Sequence, residues 1–300
     1  MTYLQKVCVF APAKINLFLH ITGRRHDGYH TLHSLVAFAD CGDIIDIEPA
    51  AQFGFSVHGP FAPVLEGVGA GAGGDGNIVI KAAKELAQIV GKPLDLHIRL
   101  TKNLPVAAGL GGGSCDAAAT LWGLQDYWGL NHNTPYLLPL MTRLGADVAM
   151  CLRCQPQIVR GIGEELYPAP LMPEIPIVLV NPLRPCLTQD VFLQSTNRAY
   201  REDVFVPAGF SNALELAAFL QNQHNDLYDG ALALVPEINS VMSALEAHKE
   251  CLLARMCGSG ASCFGLFETI KDAKKVAKII SKNNPGWWVQ TAWLNRPERS

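Results

Sequence analysis

Four glycines occupy positions 109 and 111–113, between a segment that alternates apolar and polar residues and a segment rich in alanine. The alternation over 94–100 predicts a strand, and the alanine-rich run after Asp116 predicts a helix. Without Cβ atoms, such a loop can turn several backbone N–H groups towards one ligand. The positive end of the following helix also attracts anions. The segment therefore predicts phosphate binding, with a flexible turn before a closely packed helix as the structural alternative.

The loop matches neither of the two common glycine motifs for nucleotides. A P-loop requires Lys followed by Ser or Thr after its glycines, but Gly113 is followed by Ser114 and Cys115. The dinucleotide-binding pattern requires a further glycine at the position of Ser114. The spacing alone therefore predicts an anion site and leaves its ligand open.

Length and charge limit the classes of protein. A chain of 300 residues favours two domains, and we place the boundary near residue 160, which gives domains 1–160 and 161–300. Lys and Arg number 24 and Asp and Glu 27, so the net charge of −3 provides no field for non-specific nucleic-acid binding. No run approaches the roughly 18 apolar residues of a membrane span. The first residues lack the ordered regions of a signal peptide, and we expect a cytoplasmic protein.

Nine scattered cysteines, an odd number, argue against a disulfide scaffold. Cys151 and Cys154 form a CxxC, but no second pair stands at zinc-ligand spacing and no thioredoxin-like beginning precedes them. The several histidines near the N-terminus also lack ligand partners at suitable spacing. We therefore predict packed thiols and no protein metal site, with a zinc or redox CxxC as the alternative.

Helix and strand patterns alternate in mixed order along the chain, without a fixed-period repeat. Two strands are predicted over 7–10 and 16–20, interrupted at 11–14, and another over 32–48. The composition of 59–76 predicts a loop. A helix is predicted after it, capped by Asn77 and ended by Gly91. Later elements are predicted as helices near 137–144, 211, 235 and 271–282, and as strands at 175–180, 264–267 and 287–294.

Several motifs together resemble one family. Pro105–Ser114 resembles the phosphate-binding motif of the GHMP small-molecule kinases, and Pro12–Leu17 and Gly258–Ala261 resemble their N- and C-terminal motifs. The longer run Pro12–Leu32, with Leu144–Val148, is similar to the member that acts on a cytidine-diphosphate-linked polyol in non-mevalonate isoprenoid synthesis. The resemblance implies a two-domain fold, α/β and α+β. Its N-terminal ATP-binding domain would be ribosomal-S5-like and its C-terminal substrate domain ferredoxin-like.

The resemblance implies two catalytic residues. Lys14 would lie beside the acceptor hydroxyl and the transferring phosphoryl group, and Asp147 would accept the hydroxyl proton. Without the resemblance, Lys14 would be a snorkelling edge lysine and Asp147 a helix cap. The pKa of an alcohol is about 15.7 and that of an aspartate about 3.9, so full deprotonation before transfer would cost roughly 16 kcal/mol. Asp147 is therefore expected to orient the hydroxyl and to take its proton late.

The resemblance also implies how ATP is held. Asn77 and Lys102 are candidate nucleotide contacts, with a helix cap and a solvated lysine as the structural alternatives. Mg²⁺ would bridge phosphate oxygens with few protein ligands. The phosphates of ATP would be cradled by the loop residues Pro105, Ala108, Gly109, Leu110, Gly111, Gly112, Gly113 and Ser114.

The remaining motif residues would bind the acceptor. Tyr29 offers a ring face and His30 a hydrogen-bonding edge to the cytidine end, and Phe192 would sandwich the base against Tyr29. A polar rim residue and a core aromatic are the alternatives for Thr188 and Phe192. The complete predicted acceptor set is Asn16, Tyr29, His30, Thr188, Phe192, Gly258, Ser259, Gly260 and Ala261.

Three departures from the family pattern concern loop geometry: Ala107 stands where Gly is common, Cys115 where Ser is common, and 149–150 where Pro and an aromatic are common. None removes a donor or a carboxylate that the chemistry requires. We expect an ATP-dependent kinase of a cytidine-diphosphate-linked polyol, monomeric or homodimeric. The alternatives are a GHMP kinase of the homoserine or mevalonate type and a nucleotide-binding regulator without catalysis.

Overall fold

The computed structural model describes residues 6–67, 76–132, 134–195 and 199–296. The architecture is mixed α/β, as predicted. Its strands are β1 (Val7–Arg24), β2 (His30–Pro49), β3 (Gly54–His58), β4 (Leu96–Thr101), β5 (Gln157–Arg160), β6 (Glu165–Pro168), β7 (Ile175–Asn181), β8 (Cys251–Met256), β9 (Cys263–Phe267) and β10 (Trp288–Leu294). Its helices are α1 (Ala62–Gly67), α2 (Ile78–Val90), α3 (Gly112–Trp128), α4 (Leu137–Leu144), α5 (Val148–Arg153), α6 (Thr188–Gln194), α7 (Ala213–Gln221), α8 (Tyr228–Leu234), α9 (Glu237–Glu246) and α10 (Ile270–Asn283).

The chain forms two compact units. Unit 1 contains the described residues up to 13 together with those of 42–106 and 111–153, and unit 2 contains those of 14–41, 107–110 and 154 onwards. Strands β1 and β2 are 18 and 20 residues long, so each contributes residues to both units.

Strand β1 corrects the predicted interruption at residues 11–14. It runs without a break, because every side chain from Ala11 to Ile21 is buried. A strand that is buried on both faces lacks the alternation of apolar and polar residues that marks a half-buried strand, and the buried stretch here includes Lys14, Asn16 and His20. Burial on both faces depends on tertiary packing, and the local sequence does not reveal it.

In unit 1, β2 and β4 are antiparallel, with Ile44 opposite Thr101, and β3 is parallel to β4. Helix α2 has the predicted ends: Asn77 caps it, and Gly91 closes it with a φ of 64°. Helix α3 packs against α2 and α5.

Two predictions in unit 1 need correction. Part of the stretch predicted as a loop over 59–76 is helix α1, and residues 68–75 lie outside the described residues. Helix α3 begins at Gly112 rather than near Asp116, so the last two glycines of the loop form its first turn.

In unit 2, the strands follow the order β2–β10–β7–β9–β8, and neighbouring strands are antiparallel. The predicted strands β7, β9 and β10 and the predicted helix α10 are confirmed. Helix α10 buries Ala273, Val276 and Ile280 on one face and packs against β7, β9 and β10. The short elements β5, β6, β8, α6 and α8 were not predicted. None of the described helices is both long enough and apolar enough to cross a membrane.

Candidate active site

Three of the sequence motifs meet in unit 2. The backbone N–H of Lys14 donates to the carbonyl of Leu110 at 2.8 Å, which joins the N-terminal motif to the glycine-rich loop. The N–H of Ser262 donates to the carbonyl of Ala108 at 3.2 Å, which joins the C-terminal motif to the same loop. Segments far apart in sequence are thus held together by backbone hydrogen bonds.

The contact between the loop and the C-terminal motif requires glycine on both sides. Gly109 has a φ of +73°, and a Cβ at this position would lie 2.7 Å from the nitrogen of Gly260. Gly258 has a φ of +52°, and a Cβ there would lie 2.6 Å from the carbonyl oxygen of Gly109. Real Cβ atoms do not approach backbone this closely, so only bare backbone fits at these two positions.

Ala107 is one of the departures from the family pattern. Its φ of 51° lies in the left-handed region, which costs an L-residue about 1–2 kcal/mol and glycine almost nothing. Its carbonyl accepts a hydrogen bond from the N–H of Cys186 at 3.2 Å. The backbone conformation at this position therefore favours the glycine that is common in the family.

Lys14 is only 6% exposed, within strand β1. This burial excludes the alternative of a snorkelling edge lysine, whose charged end would reach water. Its contact with the acceptor hydroxyl stays a prediction.

Asn16 presents a buried acceptor. Its Nδ2 donates to the Ser34 hydroxyl at 2.9 Å, whereas its buried Oδ1 has no hydrogen-bond partner among the described residues. A Cβ at Gly258 would lie 3.3 Å from this oxygen. A buried unsatisfied acceptor costs about 1–3 kcal/mol, which a donor on a bound ligand would recover. This atom therefore fits the predicted role of Asn16 in acceptor binding.

An aromatic pair lies among the residues predicted to hold the cytidine end. The rings of His30 and Phe192 stack with centroids 5.4 Å apart and planes inclined by 20°. Tyr29 is 62% exposed at the start of β2, and its sandwich with Phe192 stays a prediction. Burial, with a smaller contribution from Arg24, lowers the pKa of His30. At neutral pH its imidazole therefore offers one donor and one acceptor.

Thr188 contacts the C-terminal motif through its side chain. Its hydroxyl lies 2.8 Å from the Ser259 hydroxyl, and the Cys186 thiol donates to the Ser259 carbonyl at 3.3 Å. Residues 258–261 are all buried. Helix α6, which begins at Thr188, thus supports the motif directly, and contacts of these residues with the acceptor stay predictions.

In unit 1, the second half of the glycine-rich loop opens helix α3. Gly111 has a φ of 65° and carries no side chain that could cap the helix, and the N–H of Cys115 donates to its carbonyl at 2.9 Å. The N–H groups in the first turn of a helix lack intrahelical acceptors and attract anions. Gly113 and Ser114 lie in this turn, and Pro105 is buried ahead of the loop.

Asn77 and Lys102 are both engaged with protein groups. Asn77 Oδ1 accepts from the N–H of Val79 at 2.9 Å, which is the helix cap of the structural alternative. Lys102 is not a solvated lysine: its Nζ lies 2.5 Å from Asp43 Oδ2 and 2.6 Å from Asp116 Oδ2. Burial alone would lower the pKa of Lys102, but the two carboxylates more than offset it and raise the pKa. Nucleotide contacts of both residues stay predictions.

Asp147 is half-buried and links α4 to α5. Its carbonyl accepts a hydrogen bond from the N–H of Cys151 at 3.1 Å, in the first turn of α5. Cys151 is buried with its Sγ 3.0 Å from the Sγ of Cys115, whereas Cys154 is exposed. Within the described residues, no group of three His, Cys, Asp or Glu side chains could hold a metal ion. The role of Asp147 as proton acceptor stays a prediction.

Two polar residues beside the motifs were not found from the sequence. Asn225 Nδ2 donates to the carbonyls of Met256 and Gly258 at 2.8 and 2.7 Å, and nothing in its polar neighbourhood predicts this. Asp43 did carry a signal, because an alternation with period 2 places it on the same strand face as the buried Ile45.

Two family models match the chain. The model described as GHMP kinases N terminal domain matches residues 77–155, and the model described as GHMP kinases C terminal matches residues 209–286. The chain belongs to the GHMP kinase family. The predicted enzyme class, a small-molecule kinase, is confirmed.

The chain is also similar to particular members over nearly its whole length. A protein of Roseobacter denitrificans named 4-diphosphocytidyl-2-C-methyl-D-erythritol kinase is 44% identical over 97% of this chain and 94% of its own length. A protein of the same name from Paramagnetospirillum magneticum is 44% identical over 95% of this chain and 97% of its own length. The resemblance that residues 12–32 carried is therefore confirmed.

Solved structures agree with these relatives. A crystal structure of 4-(cytidine 5'-diphospho)-2C-methyl-D-erythritol kinase matches with a TM-score of 0.78 and 31% identity, over 97% of this chain and all of the other. Homoserine kinase from Cytophaga hutchinsonii matches with a TM-score of 0.67 over 96% of this chain and 94% of its own. Its identity of 18% makes this a likeness of fold alone.

Proposed function

We propose that this chain transfers the terminal phosphoryl group of ATP to the 2-hydroxyl of 4-diphosphocytidyl-2-C-methyl-D-erythritol, a step in non-mevalonate isoprenoid precursor synthesis. The observation that carries the proposal is the meeting of three motifs in unit 2, where Lys14, Ala108–Leu110 and Gly258–Ser262 are joined by backbone hydrogen bonds. The full-length relatives named for this activity support the choice of acceptor.

Lys14 and Asp147 have different roles at the acceptor hydroxyl. The ammonium group of Lys14 stabilises negative charge that develops on the acceptor oxygen and on the phosphoryl group. The carboxylate of Asp147 orients the hydroxyl and receives its proton as the bond to phosphorus forms. Positioning and charge stabilisation of this kind carry most of the catalysis in phosphoryl transfer.

Backbone N–H groups hold the phosphates of ATP. The loop over 108–114 combines bare glycine backbone with the uncapped N-terminus of α3, which is the arrangement that binds phosphate without a positively charged side chain. Mg²⁺ would neutralise charge between phosphate oxygens.

The residues predicted to bind the cytidine end determine which acceptor the enzyme uses. His30 and Phe192 provide a stacked aromatic wall, the neutral imidazole adds a hydrogen-bonding edge, and Tyr29 adds an exposed ring. Asn16 supplies the buried acceptor oxygen. Homoserine and mevalonate contain no base that such a wall would bind, so these residues favour the cytidine-linked acceptor.

The domain organisation of this proposal follows the family motifs. The N-terminal ATP-binding domain would be ribosomal-S5-like and the C-terminal substrate domain ferredoxin-like, with a boundary near residue 160. The two family models lie on either side of that position. We propose that the enzyme acts in the cytoplasm as a monomer or homodimer.

Release of ADP with a panel of acceptors tests the proposal. We expect turnover with 4-diphosphocytidyl-2-C-methyl-D-erythritol, and a loss of orders of magnitude in kcat/KM with the same polyol phosphate lacking cytidine, with homoserine and with mevalonate. Comparable turnover of homoserine or mevalonate would assign the chain to another branch of the family. Binding of ATP without turnover of any acceptor would favour the regulator.

A further inference from the structure

Three charged side chains form a buried cluster in unit 1, which we call the charged triad: Lys102, Asp43 and Asp116. Their exposed fractions are 3%, 0% and 3%, and the Lys102 ammonium bridges the two carboxylates at 2.5 and 2.6 Å. Each buried ion costs several kcal/mol in lost hydration, and apolar residues of similar volume are often equally stable or more so. Stability alone therefore does not account for the charged triad.

The charged triad contacts the backbone that enters the glycine-rich loop and the helix that leaves it. Asp43 Oδ1 accepts from the backbone N–H groups of the two residues after Lys102, at 2.6 and 2.9 Å. Asp116 lies on α3 just after its first turn. A Cβ at Gly112 would lie 3.0 Å from Lys102 Nζ, so the ammonium group lies directly beside the loop backbone.

We propose that Lys102, Asp43 and Asp116 are positioning residues for nucleotide binding, which hold the loop and set the charge beneath it through a proton on Asp116. This inference rests on the proposed function, because it takes the loop as the site of the ATP phosphates. With all three groups ionised, the charged triad carries −1 and repels phosphate. With one proton it is neutral, so ATP binding takes up a proton.

Asp116 is the member that accepts this proton. Its Oδ1 is buried and has no hydrogen-bond partner among the described residues, whereas both oxygens of Asp43 accept hydrogen bonds. Protonation at Asp116 Oδ1 therefore breaks no existing bond. Burial raises the pKa of Asp116 to about 8, and Asp43 adds to the rise while Lys102 opposes it.

The charged groups on the helices that pack against α3 lie towards the surface. Strands β1 and β2 also pack against α3, through Val9 and Ile47, and the charged residues of β2 in unit 1 besides Asp43 are Asp46 and Glu48, which are half-buried. Helices α2, α4 and α5 pack against α3, and Glu85 on α2 pairs with Lys81 and with Arg143 of α4. The buried thiol of Cys151 is the titratable group that faces α3 from α5. The charged residues on these three helices are exposed or half-buried: Lys81, Lys84, Glu85, Arg143 and Arg153.

Proton uptake on ATP binding tests the proposal directly. Calorimetric titration of the whole protein with ATP at pH 8, in buffers of different ionisation enthalpy, should show a net uptake of protons, at most one per ATP. ATP itself contributes little at this pH, because the last pKa of a phosphate is about 6. Asp116→Asn keeps an oxygen for Lys102, makes the charged triad neutral and should abolish the uptake. Asp126→Asn, at an exposed position on the same helix, is the matched control.

Kinetics separate this role from a purely structural one. In the wild type, KM for ATP should rise about tenfold between pH 7 and pH 9, because like charges repel, while KM for the acceptor stays constant. In Asp116→Asn, KM for ATP should not change with pH. Equal pH profiles in the two proteins, with only a lower stability in the variant, would overturn the proposal.

A variant that fails to fold does not prevent the test. Absence of proton uptake by the wild-type protein at pH 8 would itself overturn the proposal. ATP binding is measured without the acceptor, so a wrong acceptor assignment would leave this result intact. Absence of ATP binding would instead refute the proposed function.

Discussion

Gly258 approaches Gly109 so closely that a Cβ on Gly258 would lie 2.6 Å from the Gly109 carbonyl oxygen. The glycine-rich loop and the C-terminal motif therefore meet as bare backbone. The relationship predicts that the two motifs tolerate no side chain at these positions.

Gly258→Ala should lower the free energy of unfolding by about 2 kcal/mol or more, because it adds a left-handed alanine to a backbone clash. Urea unfolding measures the change, and ADP release measures the accompanying loss of turnover. Gly286→Ala is the matched control, since a Cβ there would meet no described atom within 4 Å. Equal stability of the two variants would contradict the close approach.

Ala107→Gly should raise the free energy of unfolding by up to about 1 kcal/mol, because it relieves a left-handed alanine at the cost of a more flexible unfolded chain. The neighbouring Ala108→Gly should lower it, since Ala108 is buried and has no positive φ. Urea midpoints of the two variants should therefore shift in opposite directions. A shift in the same direction would refute the assigned backbone conformation.

Lys14→Ala and Asp147→Asn should each lower kcat by about 10²-fold or more, the usual scale for groups that act on a transferred proton or on developing charge. Steady-state ADP release gives kcat, and calorimetry should show that both variants still bind ATP. Lys92→Ala, at an exposed position, controls for the loss of a positive charge. Turnover like that of the wild type in either variant would refute the role assigned to that residue.

The pH dependence of stability should reveal His20. Burial, partly opposed by Asp226, lowers the pKa of this histidine, which is 2% exposed, to about 4. Between pH 6.5 and pH 4 the unfolded chain binds the proton and the folded chain does not, so stability rises with pH across this window. The wild type should therefore lose about 3 kcal/mol of unfolding free energy between pH 7 and pH 4 through this group.

The variant His20→Gln should lack this contribution and show a smaller loss on acidification. The backbone N–H of His224 donates a hydrogen bond to His20 Nε2 at 3.2 Å, and the amide oxygen of the glutamine can still accept this bond. The same substitution at the exposed His26 is the control. Parallel pH curves for the wild type and His20→Gln would show that His20 is not the source.

Features with local signals were predictable from the sequence. Helix α2 was predicted with both ends, because Asn77 and Gly91 are local cap signals. The helix after the glycine-rich loop was also predicted, although its start was placed four residues late. Interactions that depend on distant residues were not predictable. For Lys102 the sequence offered a nucleotide contact or a solvated lysine and gave no sign of a buried ion pair, because its partners Asp43 and Asp116 lie 59 and 14 residues away along the chain.

In the candidate site, too, residues with a local sequence signal were predictable and contacts between distant residues were not. Lys14 and Gly258 were singled out by their motifs, but their backbone contacts with the loop are a product of the fold. Asn225, which fastens the C-terminal motif, stands in no motif and was missed. Sequence motifs therefore identified the groups suited to the chemistry, and the structure added the groups that hold them in place.

Phosphorus NMR of the reaction mixture tests the central claim most directly. After incubation of the chain with ATP and 4-diphosphocytidyl-2-C-methyl-D-erythritol, the account predicts one new phosphomonoester resonance with an equal amount of ADP. This resonance should lack three-bond coupling to a proton, because C2 of the polyol carries the methyl group and no hydrogen. An unchanged acceptor spectrum under conditions in which ATP binds, or a phosphoryl group attached at another position, would contradict it.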